Sequence, residues 1–364
     1  MMEVRLRTLT PLWTGGVDGT MDRIHETGIL GSLRWWYEVL VRGLGGSACD
    51  PTEHGCELSG ERLKRYEKAR KEGKPWWEAL EAVGICDACK VFGTTGWRRR
   101  FRLEVEDKTV PIWEPPERML NIRPPDRKRG WYLPPGRMGM LRLQLRGDAK
   151  MLSLLAALFL FLERWGTIGA KSQLGYGIFE LTNREEIKKW ALGTTDDKSE
   201  WQWEAMGNQS PNAGLPDLRQ FGFFRYRFSG RFGWWTHVPG FERVASRVQP
   251  LVRDYKTVPV APALKNEWRF YRWQRKWGDE REVFGTLRPS RRRSKVAVSW
   301  AYPVDEGWEV RGWIWLSNKR WADKAWKMVC DIESWQAVMK VEGELEMFRV
   351  NTQQEVLNLL EATT

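Results

Sequence analysis

The sequence predicts an α+β protein with two domains, the first of which contains a βαβ unit of ferredoxin-like type and an insertion, and three observations lead to this prediction. Segments that alternate apolar and polar residues, as half-buried strands do, recur along the whole chain. In the first half, a strongly apolar helix and a glycine-rich loop stand between two such segments, which is the order of a split βαβ unit. The 364 residues are enough for two domains that each have a core.

The first predicted elements are a strand and an amphipathic helix. Residues Glu3 to Leu9 alternate with a period of two, as in a strand with one buried face. After a glycine-rich stretch, Ser32 is a suitable N-cap for a helix whose apolar residues share one face. The glycine pair at 45–46 is expected to end this helix.

The rest of the first half contains an insertion, a long loop and a buried helix. Residues 47–95 include four of the five cysteines and are interpreted as the insertion. Two alternating segments predict strands on either side of the proline- and arginine-rich residues 111–136, which we expect to form a long loop. Residues Lys150 to Trp165 are apolar on almost every face and predict a buried helix. The loop Gly166 to Gly177 leads from this helix to a short strand at 178–181.

The second half repeats the strand and helix content of the first. A polar segment between about Thr194 and Asp217 predicts the boundary, with one domain at 1–200 and the other at 218–364. A strand at its start is followed by a hairpin that turns at residues 305–307, and then by helix, strand and helix.

The charge of the chain indicates an acidic partner. Lys and Arg number 59 against 47 Asp and Glu, a net charge of +12, which favours nucleic acid first and an anionic membrane second. The longest apolar run, Met151 to Leu162, is well short of the roughly 20 residues that cross a bilayer. The N-terminus lacks a charged-then-apolar signal and the cysteines are few, so we expect a cytoplasmic protein with no membrane partner.

Three basic clusters and one glycine-rich loop are candidates for binding phosphate. Like charges with few interspersed acids repel each other unless counter-charge arrives, so at least one cluster is expected to bind a nucleic-acid backbone. Glycines allow close approach to a phosphate, although this loop can equally be a tight connection with no ligand. Arg34 is a further candidate, unless it simply pairs with Glu38. The clusters are Arg98, Arg99 and Arg100; Arg123, Arg127, Lys128 and Arg129; and Arg288, Arg291, Arg292, Arg293 and Lys295, while the loop offers Lys171, Ser172, Gln173 and, as a stacking surface, Tyr176.

Four cysteines form a candidate zinc site. Cys86 and Cys89 have the spacing of a zinc knuckle, but six residues lie between Cys49 and Cys56, more than is usual. His54 is an alternative ligand. A structural zinc and free reduced thiols therefore both remain open.

No catalytic motif is evident. The three histidines stand outside metal-ligand and nucleophile-elbow patterns, and the chain has no phosphate loop of the GxxxxGK type. His25, beside Glu26, is the strongest candidate for a general acid or base in metal-free RNA cleavage. We favour a structural or contact role for it, because no paired catalytic group can be named.

Several segments resemble a known family. They are Thr10 to Gly16 (TPLWTGG), Thr27 to Glu38 (TGILGSLRWWYE), Phe92 to Trp97 (FGTTGW), the loop Gly169 to Gly177, Lys256 to Lys265 and Lys295 to Tyr302. Together they resemble the RAMP superfamily of RNA-binding proteins, and within it the first-numbered subunits of the Cmr complex, the type III-B CRISPR effector.

The resemblance implies two tandem ferredoxin-like folds with insertions and no nuclease activity. Apart from the candidate zinc, we expect no cofactor. It also implies contact with guide or target RNA near the 3′ end of the guide, and contact with other Cmr subunits. Other RAMP proteins process guide precursors with a histidine, so a metal-independent endoribonuclease that uses His25 is the first alternative. A scaffold that makes no RNA contact is the second.

Overall fold

The computed structural model describes residues 1–16, 19–53, 55–113, 119–124, 126, 130–193, 203–212, 214–231, 233–273, 279–286, 290–305 and 307–363. It is a mixed α/β structure with antiparallel sheets, which confirms the predicted α+β class. The elements of the first half are β1 (Met2–Thr8), α1 (Glu26–Gly43), α2 (Gly60–Lys71), α3 (Trp76–Ala82), α4 (Asp87–Phe92), β2 (Arg102–Pro111), β3 (Leu120–Ile122), β4 (Trp131–Leu133), β5 (Arg137–Arg146), α5 (Ala149–Trp165), β6 (Phe179–Leu181) and α6 (Arg184–Ala191).

The main sheet of the first half has the strand order β2-β5-β1-β6, with every neighbouring pair antiparallel. Alternate residues of β1 are buried, because one face of a strand packs on the core while the other faces outward. Helix α5 is capped by Asp148, and 13 of its 17 residues are buried, as its apolar sequence predicts.

The second half repeats this strand order. Its main sheet runs β11-β7-β10-β8, and β9 pairs with β10 beyond β8. In each half the first strand lies between the last and the penultimate strand. The elements are β7 (Phe221–Phe228), α7 (Ala245–Tyr255), α8 (Ala261–Asn266), a π-helical turn (Glu267–Arg272), α9 (Asp279–Phe284), β8 (Val296–Val298), β9 (Tyr302–Val304), β10 (Gly307–Trp315), α10 (Lys319–Val329), α11 (Ile332–Met339), β11 (Gly343–Arg349) and α12 (Gln353–Glu361).

Two sequence-based expectations are wrong. Helix α1 begins at Glu26 and not after Ser32, because the Thr14 hydroxyl accepts the His25 backbone N–H and fixes the helix start through a tertiary contact. The Ser32 hydroxyl instead accepts the backbone N–H of Gly169. The stretch 111–136 is not a simple loop either, since β3 and β4 form an antiparallel pair within it.

The two halves are joined through buried charge. Arg225 and Arg311, on neighbouring strands β7 and β10, both donate to the carbonyl of Arg164 near the end of α5. Cations suit this position because the last carbonyls of a helix lack partners within the helix. Glu309 balances the arginines, with 3.2 Å between its Oε2 and Arg225 Nε, and is only 4% exposed. In addition, Leu218 and Val356 of the second half pack closely over Gly43 of α1.

Candidate nucleic-acid interface

An open groove of about 540 Å³ lies beside the start of β2, and we call it the arginine groove. Gly93 allows the chain to turn sharply at one side of this groove. This residue has a φ of 85°, and a Cβ there would lie 2.8 Å from the backbone nitrogen of Arg99, so only glycine fits this fold-back. The groove is lined by five exposed arginines, namely Arg98, Arg99, Arg100, Arg102 and Arg146.

The charge of the arginine groove is only partly balanced. Arg102 on β2 lies directly opposite Arg146 on β5, a like-charge pair that destabilises a sheet unless an anion is near. Arg146 reaches Glu104 at 3.5 Å, and Arg100 reaches Asp148 at 3.7 Å. Within the described ranges, Arg98, Arg99 and Arg102 form no ion pair. Arg98 and Arg102 are thus available for phosphate, and so are the terminal N–H groups of Arg99, whose Nε donates to the Phe101 carbonyl at 3.0 Å.

Tryptophans stand beside the arginine groove. Trp97 lines it and stacks on Trp76, with 5.7 Å between ring centroids and 24° between planes. Trp77 meets Trp76 edge to face and is 48% exposed, while the Arg100 guanidinium lies 5.1 Å from the Trp76 centroid. Cations next to exposed aromatic rings are the combination that holds single-stranded nucleic acid.

The glycine-rich loop is mainly a structural junction. Its backbone N–H groups at Gly169, Ala170, Leu174, Gly175 and Gly177 all donate within the protein, which leaves few for an anion. Its Gln173 carbonyl accepts from Lys265 at 2.5 Å. Lys265 is fully buried, and burial holds its pKa well below the usual value.

The role expected for Tyr176 as a stacking surface is wrong. Its ring is fully buried at the edge of Trp300, and its hydroxyl donates to the carbonyl of Pro134 at 2.5 Å. A base has no access to it. The glycine-rich sequence around Tyr176 does not indicate that Trp300, in the second half of the chain, packs against this ring.

Lys171 remains a candidate contact on this loop. It is half-buried in a left-handed conformation, with its ammonium 3.9 Å from the Trp13 ring centroid. Burial and then the charge of Arg291 lower the pKa of Lys171. The first half's loop and the second half's arginine cluster therefore lie near one another. Ser172 and Gln173 are half-buried beside Lys171.

The basic residues that precede β8 differ in their exposure. Arg291, Arg292 and Arg293 are exposed, and Arg292 pairs with Glu282. Lys295 is half-buried, donates to Ser317 and faces the rings of Trp315 and Trp321. Arg288 lies outside the described residues, as do Arg127, Lys128 and Arg129.

Gly175 packs tightly against the second half of the chain. Its φ is 91°, and a Cβ would lie 2.9 Å from the backbone nitrogen of Trp300. Gly73 has a similar φ of 87° with nothing within 4 Å, so it isolates the conformational cost. We expect Gly175→Ala to lower the free energy of unfolding by about 1–3 kcal/mol more than Gly73→Ala does, measured by urea titration. Equal effects would contradict this tight packing.

Arg34 points into the protein. Its Nε donates to Glu38 at 2.8 Å, its Nη1 to the Gly93 carbonyl at 3.0 Å and its Nη2 to Cys89 Sγ at 3.2 Å. The expected pairing with Glu38 is confirmed. These contacts occupy the guanidinium and hold the segment that enters the arginine groove.

The four cysteines of the insertion come together. The Sγ atoms of Cys49, Cys56, Cys86 and Cys89 all lie within 4.8 Å of one another, so the cluster offers four soft ligands to a metal ion. Sequence spacing alone underestimated this site, because α2 and α3 fold back and bring the two pairs together. His54 lies outside the described residues.

His25 precedes α1 and pairs with Asp22, with 2.7 Å between Nε2 and Oδ1. The carboxylate orients the imidazole.

Across the part of the chain that the structure describes, no helix is long and apolar enough to cross a membrane.

Comparison with known proteins finds similarity to solved structures and, for the first half of the chain, to one family model. Among solved structures, Cmr1 from Pyrococcus furiosus (apo form) is 15% identical, covers 88% of this chain and 89% of its own, and has a TM-score of 0.42. A chain of the type III-B Cmr-beta complex bound to cognate target RNA and AMPPnP is 10% identical, with coverages of 100% and 98% and a TM-score of 0.39. Another, from Cmr-beta bound to cognate target RNA, is 12% identical, with coverages of 99% and 98% and a TM-score of 0.37.

No protein with a curated description matches the chain significantly. The family model of the RAMP superfamily matches residues 5–180, a stretch that begins within β1, ends within β6 and contains the glycine-rich loop and the arginine groove. This part of the chain is therefore similar to the RAMP superfamily.

Proposed function

We propose that this protein binds single-stranded RNA in the arginine groove, as a non-catalytic subunit of a type III-B CRISPR complex. One observation carries the proposal. Five arginines converge on one groove within the residues that match the RAMP superfamily model, and three of them have no ion pair among the described residues. A polyanion supplies the missing counter-charge.

In the proposed mechanism, arginines hold the phosphate backbone and base pairing to the guide supplies sequence identity. Trp77 and Trp97 offer stacking surfaces that accept any base. Lys171, Ser172, Gln173, the arginines at 291–293 and Lys295 form a second, smaller contact area where the two halves meet. Arg34 contributes indirectly, through the Gly93 carbonyl that it holds.

The fold proposal is that both halves are ferredoxin-like, with domains at 1–200 and 218–364. The matching strand orders β2-β5-β1-β6 and β11-β7-β10-β8 support it. In both sheets a βαββαβ succession would give this arrangement.

The partners proposed are guide or target RNA and the other subunits of a Cmr complex, in the cytoplasm. Support comes from the match of residues 5–180 to the RAMP superfamily model and from segments such as Thr27 to Glu38 that resemble Cmr subunits.

The test is the salt dependence of RNA binding by the purified chain. We expect the logarithm of the binding constant to fall linearly with the logarithm of salt concentration, with a slope of about −3.5, since each of the five arginines neutralises one phosphate and each neutralised phosphate on a single strand contributes about −0.7. Fluorescence anisotropy with labelled single-stranded RNA measures this. A scaffold without RNA contact would bind weakly and with no such slope.

The Asp22–His25 pair favours a second candidate function, metal-independent cleavage of guide precursors. Incubating labelled repeat RNA with the protein in chelator decides between the two. We expect intact RNA with wild type and with His25→Ala alike. Cleavage by wild type that His25→Ala abolishes would replace the non-catalytic proposal.

A further inference from the structure

The insertion between α1 and β2 carries a feature that RNA binding does not explain, the cluster of Cys49, Cys56, Cys86 and Cys89. Cys49 and Cys56 precede α2, whereas Cys86 and Cys89 lie at the start of α4. Their Sγ atoms lie within 4.8 Å of one another, and those of Cys49 and Cys89 are 3.6 Å apart. Sulphurs bound to one zinc in a tetrahedron are about 3.8 Å apart, given Zn–S bonds of about 2.3 Å.

We propose that these four cysteines bind one zinc ion in a closed structural site. The surroundings of the sulphurs fit metal-bound thiolates. The backbone N–H of Cys49 points to Cys86 Sγ at 3.5 Å, and that of Cys86 points to Cys56 Sγ at 3.4 Å. Arg34 places its positive charge 3.2 Å from Cys89 Sγ, which offsets part of the excess negative charge of four thiolates around a divalent ion.

Other uses of the cluster fit less well. All four thiols are free, and the 3.6 Å separation of Cys49 and Cys89 is far beyond the roughly 2.05 Å of a disulfide. Two of the four sulphur-bearing residues are only partly buried, so filling the core does not account for them. Four sulphur ligands in one compact group favour zinc over hard cations.

The zinc ion would also position the arginine groove. Cys89 lies in α4, whose end leads directly into Gly93 and then into the arginines. Arg34 connects Cys89 to the Gly93 carbonyl, and Trp97 Nε1 donates to the Lys90 carbonyl at 3.0 Å. The metal therefore fixes the frame from which Arg98, Arg99 and Arg100 project.

Metal analysis of the full-length chain tests the proposal. After expression in zinc-supplemented medium and purification with reductant but without chelator, we expect about one zinc per chain by plasma mass spectrometry. A mercurial that modifies thiols should release this zinc, and cobalt in its place should give the absorption of tetrahedral thiolate coordination. Cys330→Ser is the matched control and keeps its zinc, because Cys330 lies outside the cluster.

The double variant Cys86→Ser with Cys89→Ser should not bind zinc. If this variant fails to fold, the number of zinc ions per wild-type chain still tests the proposed site. Wild-type protein with less than about one tenth of an equivalent of zinc, or with iron in its place, would overturn the proposal. The measurement needs no RNA. Full zinc with no RNA binding would reject only the proposed function, and RNA binding without zinc would reject only the metal site.

Discussion

Replacing Arg98 and Arg99 with glutamate is expected to weaken binding of single-stranded RNA by about 100-fold or more, because each charge-assisted hydrogen bond contributes about 1.5–3 kcal/mol. Both side chains are exposed in the arginine groove, and neither forms an ion pair within the described part of the chain. Glutamate removes the phosphate contact and adds repulsion. Because phosphate contacts carry no sequence information, all RNA sequences should lose about equally.

The control for this prediction keeps the change in net charge the same. Arg320→Glu with Lys327→Glu reverses two exposed charges on α10, in the second half of the chain. We expect affinity within a few-fold of wild type for this variant, measured by the same anisotropy titration at one fixed salt concentration. Equal losses in both double variants would mean that net charge, and not the arginine groove, governs binding.

Glu309→Gln is expected to lower the free energy of unfolding by about 3–5 kcal/mol, because removing one partner leaves buried cations without counter-charge. Arg225 and Arg311 are 5% and 8% exposed, and Glu309 is the buried carboxylate on β10, two residues before Arg311, that pairs with Arg225 on β7. Tyr302 donates its hydroxyl to the same carboxylate. Urea unfolding followed by tryptophan fluorescence measures the loss.

Glu346→Gln is the matched control, since Glu346 also pairs with Arg225, at 3.6 Å, but its side chain is 52% exposed. We expect a cost below about 1 kcal/mol there.

The stabilisation by Glu309 should depend on pH. Burial raises the pKa of Glu309, but Arg225, Tyr302 and Arg311 together lower it by more, so the pKa of Glu309 in the folded protein lies below the ordinary glutamate value. The stabilisation is therefore complete above that ordinary value and lost as the pH falls through the folded one. The difference between wild type and Glu309→Gln should shrink in acid, and a constant difference would contradict this role.

Much of the fold follows from sequence periodicity. Helix α5 was predicted to within one residue, and β9 and β10 pair antiparallel on either side of the predicted hairpin turn, because apolar periodicity reports which faces are buried. The helix start at Glu26 was not predictable, since Thr14 fixes it from a distant loop. Nor was the β3–β4 pair, whose short strands carry too few residues for a period to emerge.

The candidate site was predictable only in part. Arg98, Arg99 and Arg100 are adjacent in sequence, so their charge is visible there. Arg146 joins them only through the register of β5 against β2, which no local pattern specifies. Trp77 could have been singled out from the Trp76-Trp77 pair near a basic segment. The burial of Tyr176 depends on packing between the halves, beyond the reach of loop composition.

Photochemical crosslinking of RNA in the assembled complex, followed by mass spectrometry of peptides from this chain, shows whether RNA lies in the arginine groove. We expect RNA adducts on peptides that contain Trp97 to Arg102, and on the neighbouring peptide with Trp77. Adducts on other subunits together with none in these peptides would contradict RNA binding in this groove.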